Sequence, residues 1–208
     1  MKEKLILVGG GGHALSLLEA LPSEADVLGY LAPTEAPMMP VKHLGDDTEA
    51  PEYMKEGYPF HIAFVYAGLP VMDKRRELVS LYQGHGAEFA NIIAATAVIT
   101  RNAKIGKGVA ILNNAVINRA TIGDHCIINT GAIVEHDCTV GSNTFIGPGA
   151  VIGGGVTIGD DCFIGLGAKV KNGVTIGTGV TVAMGATVTR NLPEPGIYHG
   201  NPLKRFKI

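Results

Sequence analysis

Ile146-Gly147-Pro148-Gly149-Ala150-Val151-Ile152-Gly153-Gly154-Gly155-Val156-Thr157-Ile158 carries an aliphatic residue at every sixth position. Toward the N-terminus the series continues through Val140, Val134, Ile128 and Ile122. One five-residue step then leads to Ile117, Ile111, Ile105 and Ile99. Toward the C-terminus it runs through Ile164, Val170, Ile176, Val182 and Val188, so that all sixteen positions are Ile or Val. Helices repeat near 3.6 residues and strands at 2, and six fits neither alone. It is the period of a hexapeptide-repeat parallel β-helix, in which three short strands form one triangular coil of about eighteen residues. No coil buries its own inner face, so stability comes from stacking. Sixteen hexapeptides supply a little over five coils.

Neighbouring positions agree. Two residues before the aliphatic the side chain is small: Ala97, Ala103, Ala115, Cys126, Ala132, Cys138, Thr144, Ala150, Cys162, Ala168 and Ala186. Strand alternation puts both residues on one face, so the large one fills the prism and the small one fits its corner. Glycine often follows the aliphatic, as at Gly123, Gly141 and Gly159, where the corners are expected to need its backbone freedom. The three cysteines, Cys126, Cys138 and Cys162, are spaced by multiples of six. All take the same inward position as compact apolar side chains, with neither a zinc site nor a disulfide implied.

The first ninety residues follow other rules. Lys4–Val8 reads as a buried strand, Gly9–Gly12 as a tight turn, and His13–Leu21 as a helix ended by Pro22 and Ser23. Val27–Leu31 and His61–Tyr66 read as further strands, and Asp73–Gln83 as a helix. Alternating strands and helices indicate a small parallel sheet, a half-Rossmann lobe, with Phe89–Ile93 leading into the β-helix. The expected organisation is an α/β lobe over 1–90, a β-helix over 91–192 and a tail over 193–208. Gly9-x-Gly11-x-x-Ala14 satisfies a loose dinucleotide pattern. A structural turn and a diphosphate cradle fit it equally, and ninety residues are too few for a full dinucleotide fold.

Composition narrows the remaining classes. The formal net charge is −2, with Lys and Arg scattered, which gives no footprint for nucleic acid. The short apolar run before Gly9 is no signal peptide, and no stretch has the length of a membrane span. A soluble cytoplasmic protein is the expectation.

Among the coils, the stretch with chemical potential is Asn129-Thr130-Gly131-Ala132-Ile133-Val134-Glu135-His136-Asp137-Cys138. The phase exposes His136 at a corner. A neutral imidazole can take a proton from an incoming nucleophile, and an adjacent Asp137 can orient the ring and support the imidazolium. An exposed histidine beside a solvated acid fits the same residues. Asn129, opening the block, is grouped with them as a candidate.

The chain resembles the sugar O- and N-acetyltransferases of the left-handed β-helix superfamily, specifically the sialic acid O-acetyltransferase and bacillosamine-pathway N-acetyltransferase group. The motifs are the opening Gly9-Gly10-Gly11-Gly12-His13-Ala14, the block from Ile127 to Cys138, and the ending Gly200-Asn201-Pro202-Leu203-Lys204. The resemblance implies transfer of acetyl from acetyl-CoA, without a metal, to an amine or hydroxyl of a nucleotide-linked sugar. A nucleotide-linked 4-amino-4,6-dideoxy sugar is the favoured acceptor, with sialic acid-type O-acetylation as the alternative. It also implies a homotrimer with CoA between adjacent β-helices. His136 matches the family's general base and Asp137 its acid. Gly154, Thr157, Leu166 and Thr178 match its CoA side, and Gly11, Gly12, His13 and Gly68 its sugar-nucleotide contacts. Glycine at 154, one coil beyond His136, is expected to give pantetheine close access to the backbone. Lys204 and Arg205 are candidates for the CoA phosphates.

Two positions depart from the family. A second histidine often found nine residues after the base is Phe145 here, and an acidic pair after the second strand is Ala32-Pro33. These departures motivate a third reading, a scaffold that binds sugar nucleotide and CoA without turnover. A β-helix zinc enzyme needs three converging histidines, and the coils hold only His125 and His136.

Overall fold

The structure, a computed structural model, describes residues 4–21, 26–65, 72–201 and 203–206. In the N-terminal lobe, β1 (Leu5–Val8), β2 (Val27–Leu31) and β3 (Phe60–Ile62) form a parallel sheet in the order β2-β1-β3. All four residues of β1 are buried, as expected of a central parallel strand covered on both faces. Helix α1 (Gly12–Ala20) follows β1, and α3 (Asp73–Gly84) follows β3. The third strand is shorter than the expected His61–Tyr66, and Tyr66 lies outside the described residues. So do Gly68 and the helix-ending Pro22 and Ser23. A short helix, α2 (Ala50–Lys55), has no counterpart in the sequence reading.

From Ile92 onward the chain is a parallel β-helix with three faces. The first face stacks Ile92–Ile93, Ala110–Ile111, Ile127–Ile128, Phe145–Ile146, Phe163–Ile164 and Val180–Val182. The second stacks six strands from Val98–Ile99 to Thr187–Val188, and the third five from Lys104–Ile105 to Thr175–Ile176. Pairing is eighteen residues in register, as in Ile127↔Phe145. It is seventeen where the five-residue step falls, as in Ala110↔Ile127. Gly196–His199 extends the first face, pairs antiparallel with Lys204–Phe206, and closes the last coil with buried Tyr198.

The inner aliphatics from Ile111 onward and their small partners form one buried cluster. The cysteines lie in it unpaired. Each also has a hydrogen-bonding role: the Sγ of Cys126, Cys138 and Cys162 donates to the carbonyl of the residue fifteen positions on, at 2.9, 3.1 and 3.0 Å. Thr144 Oγ1 does the same to Gly159 at 2.9 Å. Burial pushes the Cys126 thiol up to about 12 and Cys162 to about 11, so both stay protonated donors.

The expected role of the glycines after the aliphatics is corrected. The left-handed corner residues come two positions later and include Asp137, Asn143, Gly149 and Asp161. The glycines after the aliphatics are needed for closeness instead. A β-carbon at Gly141 would fall 2.6 Å from the backbone N of Asp160, and one at Gly159 equally close to that of Thr178. Coils stack backbone on backbone there.

The lobe sits on the first face. That face's outward row, Ile92, Ala110, Ile127 and Phe145, is buried with α1 residues Ala14, Leu17 and Leu18. Docking is completed by Arg75 of α3, fully buried at the edge where the third face turns into the first. Its Nη1 donates to His125 O (2.7 Å) and Asn143 Oδ1 (2.5 Å), and its Nε to Phe64 O (3.1 Å). Asn143 in turn donates to Asp161 Oδ1 at 2.7 Å, and Arg76 pairs with Asp161 at 3.0 Å.

Candidate active site

His136 and Asp137 stand at the edge between the second and third faces, opposite the face the lobe covers. His136 follows Ile133–Val134, and Asp137 takes the left-handed corner at φ 60°. That corner turns the carboxylate back onto the neighbouring ring. His136 Nδ1 donates to Asp137 Oδ2 at 2.9 Å. An ionised carboxylate only accepts, so Nδ1 carries the hydrogen and Nε2 keeps its lone pair. The hydrogen bond with His136 and then the Arg119 cation hold the Asp137 carboxyl below its ordinary range. Both side chains are more than half exposed, at 54% and 57%, so the pair is open to a substrate.

Gly154 lies one coil on, under the imidazole. A β-carbon there would fall 2.6 Å from His136 Nε2 and 2.7 Å from Cε1. Glycine at 154 therefore gives the imidazole its room. Thr157 is exposed on the adjacent third face.

Other candidates lie elsewhere in the chain. Asn129 and exposed Leu166 belong to the edge between the first and second faces, with Asn129 Oδ1 accepting from Thr130 N at 2.7 Å. Thr178 belongs to the edge between the third and first faces. Steps of twelve residues, from Gly154 to Leu166 to Thr178, rotate by two faces each time and so visit all three edges. Phe145 is on the covered first face, 7% exposed and stacked on Phe163 at 4.7 Å. It packs under the lobe and lies half a coil from His136 in the same chain. Arg205 is engaged in closing the tail, paired with Glu194 and donating to Pro195 O.

At the lobe, Gly9 and Gly10 are structural. Gly9 has φ 114°, and a β-carbon at Gly10 would strike the Tyr30 ring at 2.6 Å. Gly11 and Gly12 border open space at the start of α1, where free N–H groups suit an anion. Burial, then the Arg75 cation, lowers the His13 imidazole to about 4, so it is neutral at pH 7. The carboxyl ends of β1–β3 open into a cleft of about 310 Å³ lined by Gly9, Leu31, Ala32, Pro33, Phe64 and Leu78. Asp47, Lys74 and Glu77 supply its charges. This is the crevice where open α/β sheets bind ligands. None of the three was marked by the sequence reading, because only the assembled sheet brings them to one rim. Among the described residues no group of three or more His, Cys, Asp or Glu could hold a metal ion. Among the same residues no helix is long and apolar enough to cross a membrane.

A fold of stacked hexapeptide coils with an exposed His–Asp pair defines a class of transferase. Two family models match it: bacterial transferase hexapeptide (six repeats) over residues 119–154, and hexapeptide repeat of succinyl-transferase over 155–190. Comparison with the curated proteins finds no match. Among solved structures the chain is similar to PerB from Caulobacter crescentus in complex with CoA and GDP-perosamine. Identity is 33%, coverage 98% of this chain and 97% of that one, and the TM-score 0.89. A mutant form of GDP-perosamine N-acetyltransferase from the same organism gives 33%, 99% and 97%, and 0.90. The acetyltransferase domain of PglB from Neisseria gonorrhoeae, in complex with acetyl coenzyme A, gives 26%, 99% and 100%, and 0.88. The chain is an acyltransferase and belongs to the sugar acetyltransferases of the hexapeptide-repeat superfamily, with an N-terminal α/β lobe on a left-handed β-helix.

Proposed function

We propose that the protein transfers acetyl from acetyl-CoA to the amine of a nucleotide-linked 4-amino-4,6-dideoxy sugar, with His136 as general base. The observation that carries the reading is His136 itself: exposed, held through Nδ1 by Asp137, and free at Nε2. The full-length likeness to proteins solved with CoA and GDP-perosamine supports the substrate class. It favours a GDP-linked sugar where Ala32-Pro33 left the nucleotide open.

In the proposed step the amine nitrogen attacks the thioester carbonyl while its proton passes to His136 Nε2. The tetrahedral oxyanion is met by backbone N–H groups of a neighbouring coil. The C–S bond then breaks, and the proton on His136 neutralises the departing CoA thiolate. Asp137 supports the imidazolium between these events. A neutral amine acceptor suits this base, since only one proton has to move.

The lobe faces away from His136, while Gly11, Gly12 and His13 are its candidate sugar-nucleotide contacts. The reading therefore needs a second copy of the chain to bring a lobe to each His136. A homotrimer meets that need. It also lets Leu166 and Thr178, on edges remote from Gly154, reach one CoA from different protomers. In this organisation residues 1–90 hold the nucleotide sugar, 91–192 carry acetyl transfer, and 193–208 close the coil. Acetyl-CoA and nucleotide sugars are cytoplasmic metabolites, and we place the enzyme there.

Thiol release from acetyl-CoA across GDP-, UDP- and dTDP-linked amino sugars and sialic acid tests the proposal. Turnover with an N-acetylated nucleotide sugar as product is expected. Turnover on sialic acid alone would move the protein to O-acetylation, and CoA binding without any turnover would make it a scaffold.

A further inference from the structure

We infer that Arg119 is a positioning residue for His136, acting through Asp137. The inference deepens the proposed function and rests on His136 being the base.

Arg119 occupies the same edge as Asp137, one coil earlier, and both residues take the left-handed corner conformation at φ 50° and 60°. Its backbone N–H donates to Thr100 Oγ1 at 2.7 Å, which ties the corner to the coil before. Its Nη2 donates to Asp137 Oδ1 at 3.1 Å, while Asp137 Oδ2 accepts from His136 Nδ1 at 2.9 Å. Each carboxylate oxygen thus has its own partner. Arg119, Asp137, His136 and Gly154 follow one another along the edge over three coils, with Nε2 at the far end over Gly154.

Glu135 is a further charge beside the ring. Its Oε2 accepts from Asn118 Nδ2 at 3.0 Å and from the His136 backbone N–H at 3.3 Å, which keeps it from competing for Nδ1. The coil beyond supplies only Gly153, Gly154 and Gly155 at this corner. Arg119 therefore has two effects. It fixes the carboxylate so that the ring keeps one orientation, and its cation helps keep the Asp137 carboxyl ionised as the acceptor of Nδ1–H. Nε2 is then held on one line toward the substrate. The ion pair is 59% and 57% exposed, a setting in which such pairs contribute little to stability. Removing it should leave the fold intact.

The test uses the full-length protein with R119A, R119K and H136A. The His136 tautomer is read from the ring nitrogen shifts by NMR, and kcat and KM are measured with acetyl-CoA and the acceptor. In R119A the Nδ1–H tautomer of His136 should lose its dominance, seen as ring nitrogen shifts that average between the two sites. At neutral pH kcat should fall about tenfold, a part of the ~10²–10⁴ that a general base supplies. R119K should restore most of both, because one N–H donor and the charge remain. A His136 ring still fixed as the Nδ1–H tautomer in R119A would overturn the inference. So would a rise in KM for acetyl-CoA with kcat unchanged, which assigns Arg119 to CoA. Full activity in H136A sinks the general-base reading itself, and the positioning role with it, whatever the ring signals show.

Discussion

Gly154 and the His136 ring share one small volume, and neither can change without the other. Gly154→Ala puts a β-carbon 2.6 Å from Nε2, so the ring must swing off its line with Asp137. Gly154 has no left-handed φ to strain, and the fold should tolerate the methyl. We expect kcat to fall about 10²-fold, the cost of a misplacement near 1 Å, with a thermal midpoint close to wild type in calorimetry. Asp137→Asn should lower kcat without unfolding the protein, since the amide still meets Nδ1–H but no longer balances the imidazolium. The phase of the repeat was enough to expose His136 and pair it with Asp137. The reason for glycine at 154 was not legible, because it depends on a ring from the coil before. Arg119 was missed, although its eighteen-residue spacing from Asp137 is one coil and could have revealed it.

At the scale of elements, the outward rows decide where the lobe goes. The first face presents Ile92, Ala110, Ile127, Phe145 and Phe163, and the third presents Lys104, Thr121, Thr139, Thr157 and Thr175. An eighteen-residue reading of the position before each aliphatic separates these rows, and the six-residue reading blurs them. That is why the six-residue reading did not show Phe145 to be a docking residue. Helix α2 was unreadable because its six residues carry no sustained period. Arg75 was equally silent in the sequence: its partners His125 and Asn143 lie 50 and 68 residues away. Arg75→Met keeps the bulk but strands the Asn143 and Phe64 oxygens. Unfolding in urea should show a loss of at least ~2 kcal/mol, from buried acceptors left unpaired. Wild-type stability in this variant would contradict the docking role.

Across the whole molecule, three histidines gather where lobe and β-helix meet. Burial lowers His13 and His125 to about 4 and His61 to about 3, and the Arg75 cation adds to each. Each also has a buried ring nitrogen without a hydrogen-bond partner. In the unfolded chain they titrate near 6.5, so the unfolded state binds more protons below that pH. Their contribution to stability is complete above pH 6.5 and is lost as pH falls toward 4. The slope approaches ~1.4 kcal/mol per pH unit for each histidine while it titrates. Thermal unfolding followed from pH 7.5 to 4.5 should show this decline, and hydrogen exchange should find it first in β1–β3. Light scattering tests the proposed homotrimer, which should give a mass three times that of the 21.7 kDa chain; a monomer would contradict the need for a second copy.

The proposed chemistry turns on His136 taking the acceptor's proton during acetyl transfer. Its most direct test is thiol release from acetyl-CoA with a GDP-linked 4-amino sugar, comparing wild type with H136A at equal folded concentration. The wild type should turn over and the variant should lose at least ~10²-fold in rate, with CoA binding retained. Equal rates in the two proteins would contradict it.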